Sequence, residues 1–286
     1  MRFSIPRLLR VGTAVVSRLP RSLCYAAASV WAWFQFHADK KRRDVVLKNL
    51  SLILTEASTS EIKRMAKRTF RIFSLNAVDF LVAPRLSRED ILAMVEAKGD
   101  QPLDELREKG FIVLTGHIGN WDFAGMWLWA RGVKGKAVAE MITEDEWFDT
   151  FREYRARQGL EIVPINVNPV SLARCLREGK TVILVGDRDL TGKGFQARFF
   201  SGTRRFPRGP GALSARLGVP ILPGCVVRKN TRITEKRPYL AIGFPPIYPE
   251  GRPEEEIDQA VVKALEEMVR RFPEQWFVFQ DEWINE

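Results

Sequence analysis

The chain has 286 residues, 45% hydrophobic and 28% charged, an ordinary globular balance with enough length for a large core that needs no disulfide staples. Its 45 Lys and Arg against 35 Asp and Glu leave a net charge of +10, which points to an anionic partner such as an acidic protein or anionic lipid. No zinc-finger spacing, aromatic–basic RNA-binding pattern or unbroken lysine tract is present, so no nucleic acid partner is expected. Cys24, Cys175 and Cys225 are far apart and odd in number, and read as reduced core thiols of a cytosol-facing protein. With His37 and His117 the only histidines, no metal site is expected.

Residues 1–43 have their own character. Arg2, Arg7 and Arg10 precede an apolar stretch from Val11 that Arg18, Pro20 and Arg21 interrupt. A second run, Leu23 to Phe36, has 14 residues with only Ser29 and Gln35 polar, and it carries Trp31, Trp33, Phe34 and Phe36. That is short of the roughly 20 residues needed to span a bilayer. Aromatics followed at once by Lys40, Lys41, Arg42 and Arg43 predict an interfacial contact with anionic lipid instead. The alternative is a buried core helix. No small-residue cleavage site follows the run, so a signal peptide is not expected. The expected division is 1–43, N-terminal membrane-associating helices, and 44–286, the main domain.

Residues 44–110 read as helical. A Ser58/Ser60 start with Glu61 leads into an apolar stripe of Ile62, Met65, Phe70, Phe73, Leu75 and Val78, and Leu103 to Gly110 closes the last helix. Phe111 to Thr115 is a buried strand, Gly116 to Asn120 a turn, and Asn120-Trp121-Asp122 a helix start. His117 therefore stands at a strand's carboxyl end, where open α/β sheets hold ligands. A histidine with an ordinary pKa of ~6.5 is a usable general base near neutral pH, provided a carboxylate fixes its tautomer and steadies the imidazolium. Asp122, five residues on, is the expected carboxylate.

Strand and helix patterns then alternate, with strands at 111–115, 136–140, 161–165, 181–186, 219–227 and 238–244, and helices at 121–131, 145–158, 170–178, 209–217 and 253–271. The fold class is α/β, a mainly parallel or mixed central sheet flanked by helices, with an N-terminal helical membrane-contacting segment. The strand at 181 ends in Asp187-Arg188-Asp189, and a glycine-containing loop leads to Phe199-Phe200-Ser201-Gly202-Thr203-Arg204-Arg205. A P-loop is rejected, because the glycine spacing from Gly186 to Gly192 is one residue too long and Gly194 replaces the magnesium-binding Ser/Thr. No G-x-S-x-G elbow is present. Glu140, ending the second strand, reads as a plain surface glutamate, the alternative being that it holds Arg155 or Arg188. Arg188 is a candidate for binding an anionic acceptor or stabilising an oxyanion, or for pairing internally with Asp187 or Asp189. Arg204, Arg205 and Arg208 form a basic loop suited to phosphate groups. Trp121, Phe123, Trp127 and Trp129 read as core and membrane-facing packing.

Gly116-His117 followed by four residues and Asp122 resembles the first block of the glycerolipid-type acyltransferases, and G-H-I-G-N-W-D is closest to the bacterial lipid A and phosphatidylinositol mannoside branch. Arg43 to Leu50, the Phe151/Arg155/Gly159 pattern, D-R-D with F-F-S-G-T-R, the V-P-I-L-P after Gly218, and P-E-Q-W-F at 273–277 resemble further blocks in family order. F-F-S-G departs from the usual F-F-G. The resemblance implies transfer of an acyl group from an acyl thioester, on acyl carrier protein or acyl-CoA, to a hydroxyl of a membrane glycolipid. It implies His117 and Asp122 as the catalytic pair, with Glu140, Arg155, Asp187, Arg188, Arg204 and Arg205 on the substrate and no cofactor. The expected place is the cytoplasmic face of the inner membrane, peripheral or monotopic. A lipid A precursor is the first acceptor; a mannosylated phosphatidylinositol, encouraged by D-R-D-L-T, or another glycolipid or lysophospholipid is the second. Two other classes remain, a non-catalytic basic membrane-surface protein and a phosphate-ester hydrolase with a metal at His117, Asp122, Asp187 and Asp189.

Overall fold

Aliphatic runs punctuated by glycine become strands and amphipathic stripes become helices in the computed structural model, which describes residues 5–140, 161–232 and 234–284, with side chains from residue 11 onward. Four helices come first: α1 (Ile5–Val16), α2 (Arg21–Ala38), α3 (Lys40–Ile53) and α4 (Thr59–Val82). Pro20 separates α1 from α2. Ser58 opens α4 with a capping box, its Oγ accepting from the Glu61 N–H while the Glu61 carboxylate accepts from the Ser58 N–H.

Cys24, Tyr25, Ala28, Ala32 and Phe36 recur along one stripe of α2 and are buried, chiefly against α4. Val30, Trp31, Trp33 and Phe34 lie on the remaining surface and are each more than half exposed. The segment therefore has a packed face, as a core helix would, and an open apolar one. Among the described residues, no helix is long and apolar enough to cross a membrane.

The rest of the chain runs α5 (Arg88–Ala93), β1 (Val95–Lys98), α6 (Gln101–Leu106), β2 (Phe111–Thr115), α7 (Trp121–Ala130), β3 (Gly135–Ala139), β4 (Glu161–Pro164), α8 (Pro169–Arg177), β5 (Thr181–Val185), β6 (Phe195–Phe199), β7 (Gly202–Phe206), α9 (Gly209–Leu217), β8 (Ile221–Arg228), β9 (Tyr239–Gly243), α10 (Glu254–Arg271) and β10 (Trp283–Ile284). The main sheet has the order β1-β9-β8-β2-β5-β3-β4. Strands β8, β2, β5, β3 and β4 are parallel, whereas β9 runs antiparallel to β8 and carries β1 with it, so the sheet is mixed. All of β2 is buried. Its Ile112 and Leu114 face the core that holds Leu176 of α8 and Leu265 of α10, and its Phe111 and Val113 face the core beneath α5 and α7.

Two pieces differ from the sequence reading. Residues 95–98, expected within a helical region, form an edge strand, held by β9 rather than by any period of their own. The stretch 195–206, expected as a loop, is an antiparallel hairpin with β10 added at its edge. Alternate burial of Ala197, Phe199, Arg204 and Phe206 marks the period of two, which the arginine content had masked. The expected helix at 145–158 lies outside the described residues.

The three cysteines are buried free thiols, and burial pushes Cys225 up to about 12. One buried acid is poorly served. Asp258 of α10 has both carboxyl oxygens without a hydrogen-bond partner among the described residues, and Arg208 Nη1 stands 3.5 Å away. Burial first, then Glu254 and Glu255, raise its pKa to about 7 against the pull of Arg208. The folded protein thus holds a proton here that the unfolded chain, with an ordinary aspartate near ~3.9, releases. The contribution is complete below pH ~4 and is lost as pH rises through about 7. Asp258→Asn should flatten the decline in melting temperature between pH 4 and 8; an unchanged slope would contradict this assignment.

Candidate active site

Strand register builds the site. Thr115 and Val185 are paired partners at the carboxyl ends of β2 and β5. His117 and Asp187 each follow two residues later, so parallel pairing brings them side by side. His117 Nδ1 meets Asp187 Oδ1 at 2.8 Å, and the His117 backbone N–H donates to Asp187 Oδ2 at 2.8 Å. Trp276 Nε1 donates to the same Oδ2 at 2.9 Å. Gly116 leaves room for this approach, since a Cβ there would stand 3.1 Å from the carboxyl group. The imidazole is part-exposed and the carboxylate buried, at 23% and 1% of the side chain respectively. Burial by itself would raise the Asp187 pKa; the charge of His117 and the donors from His117 and Trp276 outweigh it and hold it down to about 2.

The turn after His117 is equally constrained. Gly119 has φ of +65°, and a Cβ there would meet the Val226 carbonyl oxygen at 2.1 Å. Its carbonyl accepts from Asn76 Nδ2 of α4 at 3.1 Å. Asn120 caps α7 through the Phe123 N–H and donates to Tyr239 Oη at 2.8 Å. Tyr239 in turn shares Asp79 with Arg21, Tyr25 and Arg228, which joins α2 and α4 to the sheet beside the turn after His117.

The expected orienter was Asp122, and here the structure differs: Nδ1 is engaged by Asp187, from the adjacent strand. Asp122 lies in the first turn of α7, where a carboxylate is favoured by the helix dipole, and has interactions of its own. Strand order, which spacing along the chain does not reveal, decides between the two.

The arginines also fall differently. Arg204 is not in a phosphate-facing loop. It is fully buried on β7, between Trp276 and Trp283 at 4.9 and 5.1 Å, with Nη2 donating to Glu282 at 2.8 Å and to the Asp187 carbonyl at 3.3 Å. Burial lowers its pKa, and the charges of Glu282 and Asp187 resist that. Arg188 Nε donates to Glu282 at 2.6 Å and its Nη1 stands 3.5 Å from Glu140, so its partners are not Asp187 or Asp189. Arg205 reaches the Gly192 carbonyl at 3.5 Å, and Asp189 caps the same loop at Thr191 and Gly194. Arg155 lies outside the described residues. Among the described residues, no group of three His, Cys, Asp or Glu side chains is placed to hold a metal ion.

Trp276, Glu282 and Gln275 are the members that residue chemistry alone did not single out. Gln275 exchanges hydrogen bonds with both backbone groups of Arg228, which seats Trp276 behind Asp187. Asn49, in the Arg43-to-Leu50 stretch, clamps the same tail through the Val278 carbonyl and Trp283 Nε1. The P-E-Q-W-F motif and the short helical motif thus meet as one wall. Arg204→Ala should cost about 2–5 kcal/mol in urea unfolding, because it empties the buried slot between two tryptophans and leaves Glu282 with Arg188 alone of its two arginine partners; a loss under about 1 kcal/mol would refute that role.

Trp121 lies edge-on to the imidazole, ring centroids 5.4 Å apart. With Thr115, Trp127, Leu128, Ile183 and Val226 it lines an apolar cavity of about 60 Å³. Phe123 stacks on Tyr239 at 4.3 Å and is core. The site can therefore hold a base at Nε2 and steady its protonated form, beside apolar surface.

Comparison with known proteins agrees with the pattern of motifs. The family model described as bacterial lipid A biosynthesis acyltransferase matches residues 5–285. Phosphatidylinositol mannoside acyltransferase of Mycobacterium tuberculosis is 29% identical over 179 residues, 61% of this chain and 55% of that protein. Its counterpart from Mycolicibacterium smegmatis is 28% identical over 181 residues, 62% of this chain and 57% of that one. These matches span little more than half the length of either relative. The crystal structure of the 1-acyl-sn-glycerophosphate acyltransferase PlsC from Thermotoga maritima aligns with a TM-score of 0.42 at 14% identity, over 90% of this chain and 99% of that chain.

Proposed function

Because the chain belongs to the bacterial lipid A biosynthesis acyltransferase family, we propose that it moves a fatty acyl group from an acyl thioester to a hydroxyl of a membrane glycolipid. The observation that carries this reading is the buried Asp187 bound to Nδ1 of a part-exposed histidine, beside apolar surface. The acceptor hydroxyl gives its proton to His117 Nε2 as its oxygen attacks the thioester carbonyl. The C–S bond then breaks, and the departing thiolate takes the proton back from the imidazolium, which Asp187 has stabilised meanwhile. General-base help of this kind supplies ~10²–10⁴-fold. No covalent acyl-enzyme and no metal is needed. The thioester is a co-substrate, carried by acyl carrier protein or coenzyme A.

For the acceptor, the relatives' activity on phosphatidylinositol mannoside favours a mannosylated phosphoinositide over a lipid A precursor, to which the family's name points. The open stripe of Val30, Trp31, Trp33 and Phe34 and the Lys40–Arg43 cluster support seating on the cytoplasmic face of an anionic membrane, without spanning it.

Acyl-CoA and acyl carrier protein thioesters should be offered in turn with vesicles of mixed glycolipids, and lipid mass and free thiol followed together. One acyl group gained per thiol released is expected. Neither product would make this a non-catalytic surface protein, and inhibition by a chelator would revive the metal hydrolase.

A further inference from the structure

A second apolar hollow, of about 440 Å³, lies apart from the cavity that Trp121 lines, between α1, α2 and α4. Its volume falls within the usual ~300–1,000 Å³ range of small-ligand sites. Leu19 and Leu23 line one part of it, Trp31 and Phe73 another, and Ala27 and Ala77 form an open floor of small side chains. Gln35 and Ser74 are the polar residues on its walls. An aliphatic chain fits such a lining, because its other walls are apolar side chains that ask for no hydrogen bond in return.

Two further observations say what that chain belongs to. The first is charge. Residues 1–38 contain Arg2, Arg7, Arg10, Arg18 and Arg21 and no acid; Arg21 is paired with Asp79 of α4, and the other arginines leave this segment cationic. An anionic amphiphile complements them; a basic one does not. The second is continuity with the active site. The Phe73 ring meets Phe277 at 5.4 Å, Phe277 meets Trp121 at 6.2 Å, and Trp121 meets the His117 imidazole at 5.4 Å. The Phe277 N–H also donates to the His117 carbonyl at 2.7 Å. Packed rings therefore link the wall of the hollow to the base, through the buried Phe277.

We propose that the hollow between α1, α2 and α4 seats an aliphatic chain of the anionic lipid acceptor, whose headgroup then lies toward His117. This rests on the acyl-transfer reading, and it assigns the acceptor's tail a place apart from the cavity that Trp121 lines. Recognition by the tail explains how an enzyme can choose a lipid already embedded in the bilayer: the chain docks from the membrane side, and the headgroup hydroxyl arrives with it.

The test uses the full-length protein on vesicles of phosphatidylcholine and phosphatidylglycerol that contain a phosphatidylglycerol with a mid-chain diazirine. After irradiation and digestion, cross-links are expected on Leu19, Leu23, Ala27, Phe73 and Ala77. Cross-links confined to Val30, Trp33 and Phe34 would overturn the proposal, since they report only a face resting on lipid. So would the absence of cross-links with concentration-dependent dimerisation, which would give the hollow to a second copy. This arm needs no turnover, so it stands even if the transfer reading falls. A second arm concerns the acceptor itself. Ala77→Trp, at an exposed floor position, should raise KM for a long-chained glycolipid acceptor about tenfold more than KM for its short-chained analogue, the loss of some two buried methylenes. Equal effects on the two acceptors, with the groove still cross-linked, would overturn the assignment to the acceptor.

Discussion

Replacing His117 by Ala should remove acyl transfer by ~10²–10⁴-fold, and by more if the base also positions the acceptor hydroxyl, while the protein stays folded. The fold does not depend on the ring. The residue's backbone N–H and carbonyl are bonded to Asp187 and to the Phe277 N–H, and both bonds survive the substitution. What is lost is one hydrogen bond to a buried carboxylate, a cost of about 1–3 kcal/mol. The Asp187 pKa, held down to about 2 first by the charge of His117 against burial, should rise at the same time. Loss of transfer with retained cooperative unfolding is the expected pair of results; near-normal transfer would remove His117 from the mechanism.

Asp187→Asn comes next in size. An amide can still accept from Trp276 Nε1 and from the His117 backbone N–H, so the variant should fold. It cannot offer an anion to the ring. Either its own N–H₂ faces Nδ1 and drives the imidazole proton to Nε2, which disables the base, or the imidazolium forms without a counter-charge. A loss of ~10²–10⁴ in kcat with little change in KM follows. The stability profile should change as well. A carboxylate near 2 when folded and ~3.9 when unfolded contributes above pH ~4, and that contribution disappears as pH falls toward about 2. The asparagine variant should lack this acid-dependent part. Asp122→Asn is the matched control: if it altered the pH dependence of kcat and Asp187→Asn did not, the orienting role would return to Asp122.

His117 was legible in the chain because its signal is local: an apolar run, a glycine turn and a polar helix start lie within a dozen residues. The alternating half was legible for the same reason, and β2, β5 and α9 fall within a residue of the segments expected from pattern. Asp187 could be noticed as part of D-R-D, but its task could not be assigned. That task depends on β5 lying next to β2, a fact of sheet order that is set by long-range pairing. Arg204 misled for a related reason. Arginine in a glycine-flanked stretch reads as a solvated cation, and only the closure of β10 on β7 buries it between two tryptophans. The β1 edge strand is four residues long and takes its conformation from β9, so no local pattern announces it.

The amino-terminal helices illustrate a different limit. Their composition is apolar and cationic, which fits burial and membrane contact equally. The arrangement on α4 gives the segment two faces, with Tyr25, Ala28 and Ala32 inward and Val30, Trp33 and Phe34 outward.

Nitrogen-15 spectroscopy of the His117 side chain tests the central claim most directly. In the wild-type protein at neutral pH the ring should carry its proton on Nδ1, with a resonance shifted by the hydrogen bond to Asp187, and Nε2 should be the bare nitrogen. Asp187→Asn should abolish that shift. A wild-type ring protonated on Nε2, or one whose Nδ1 signal is indifferent to Asp187→Asn, would contradict the account.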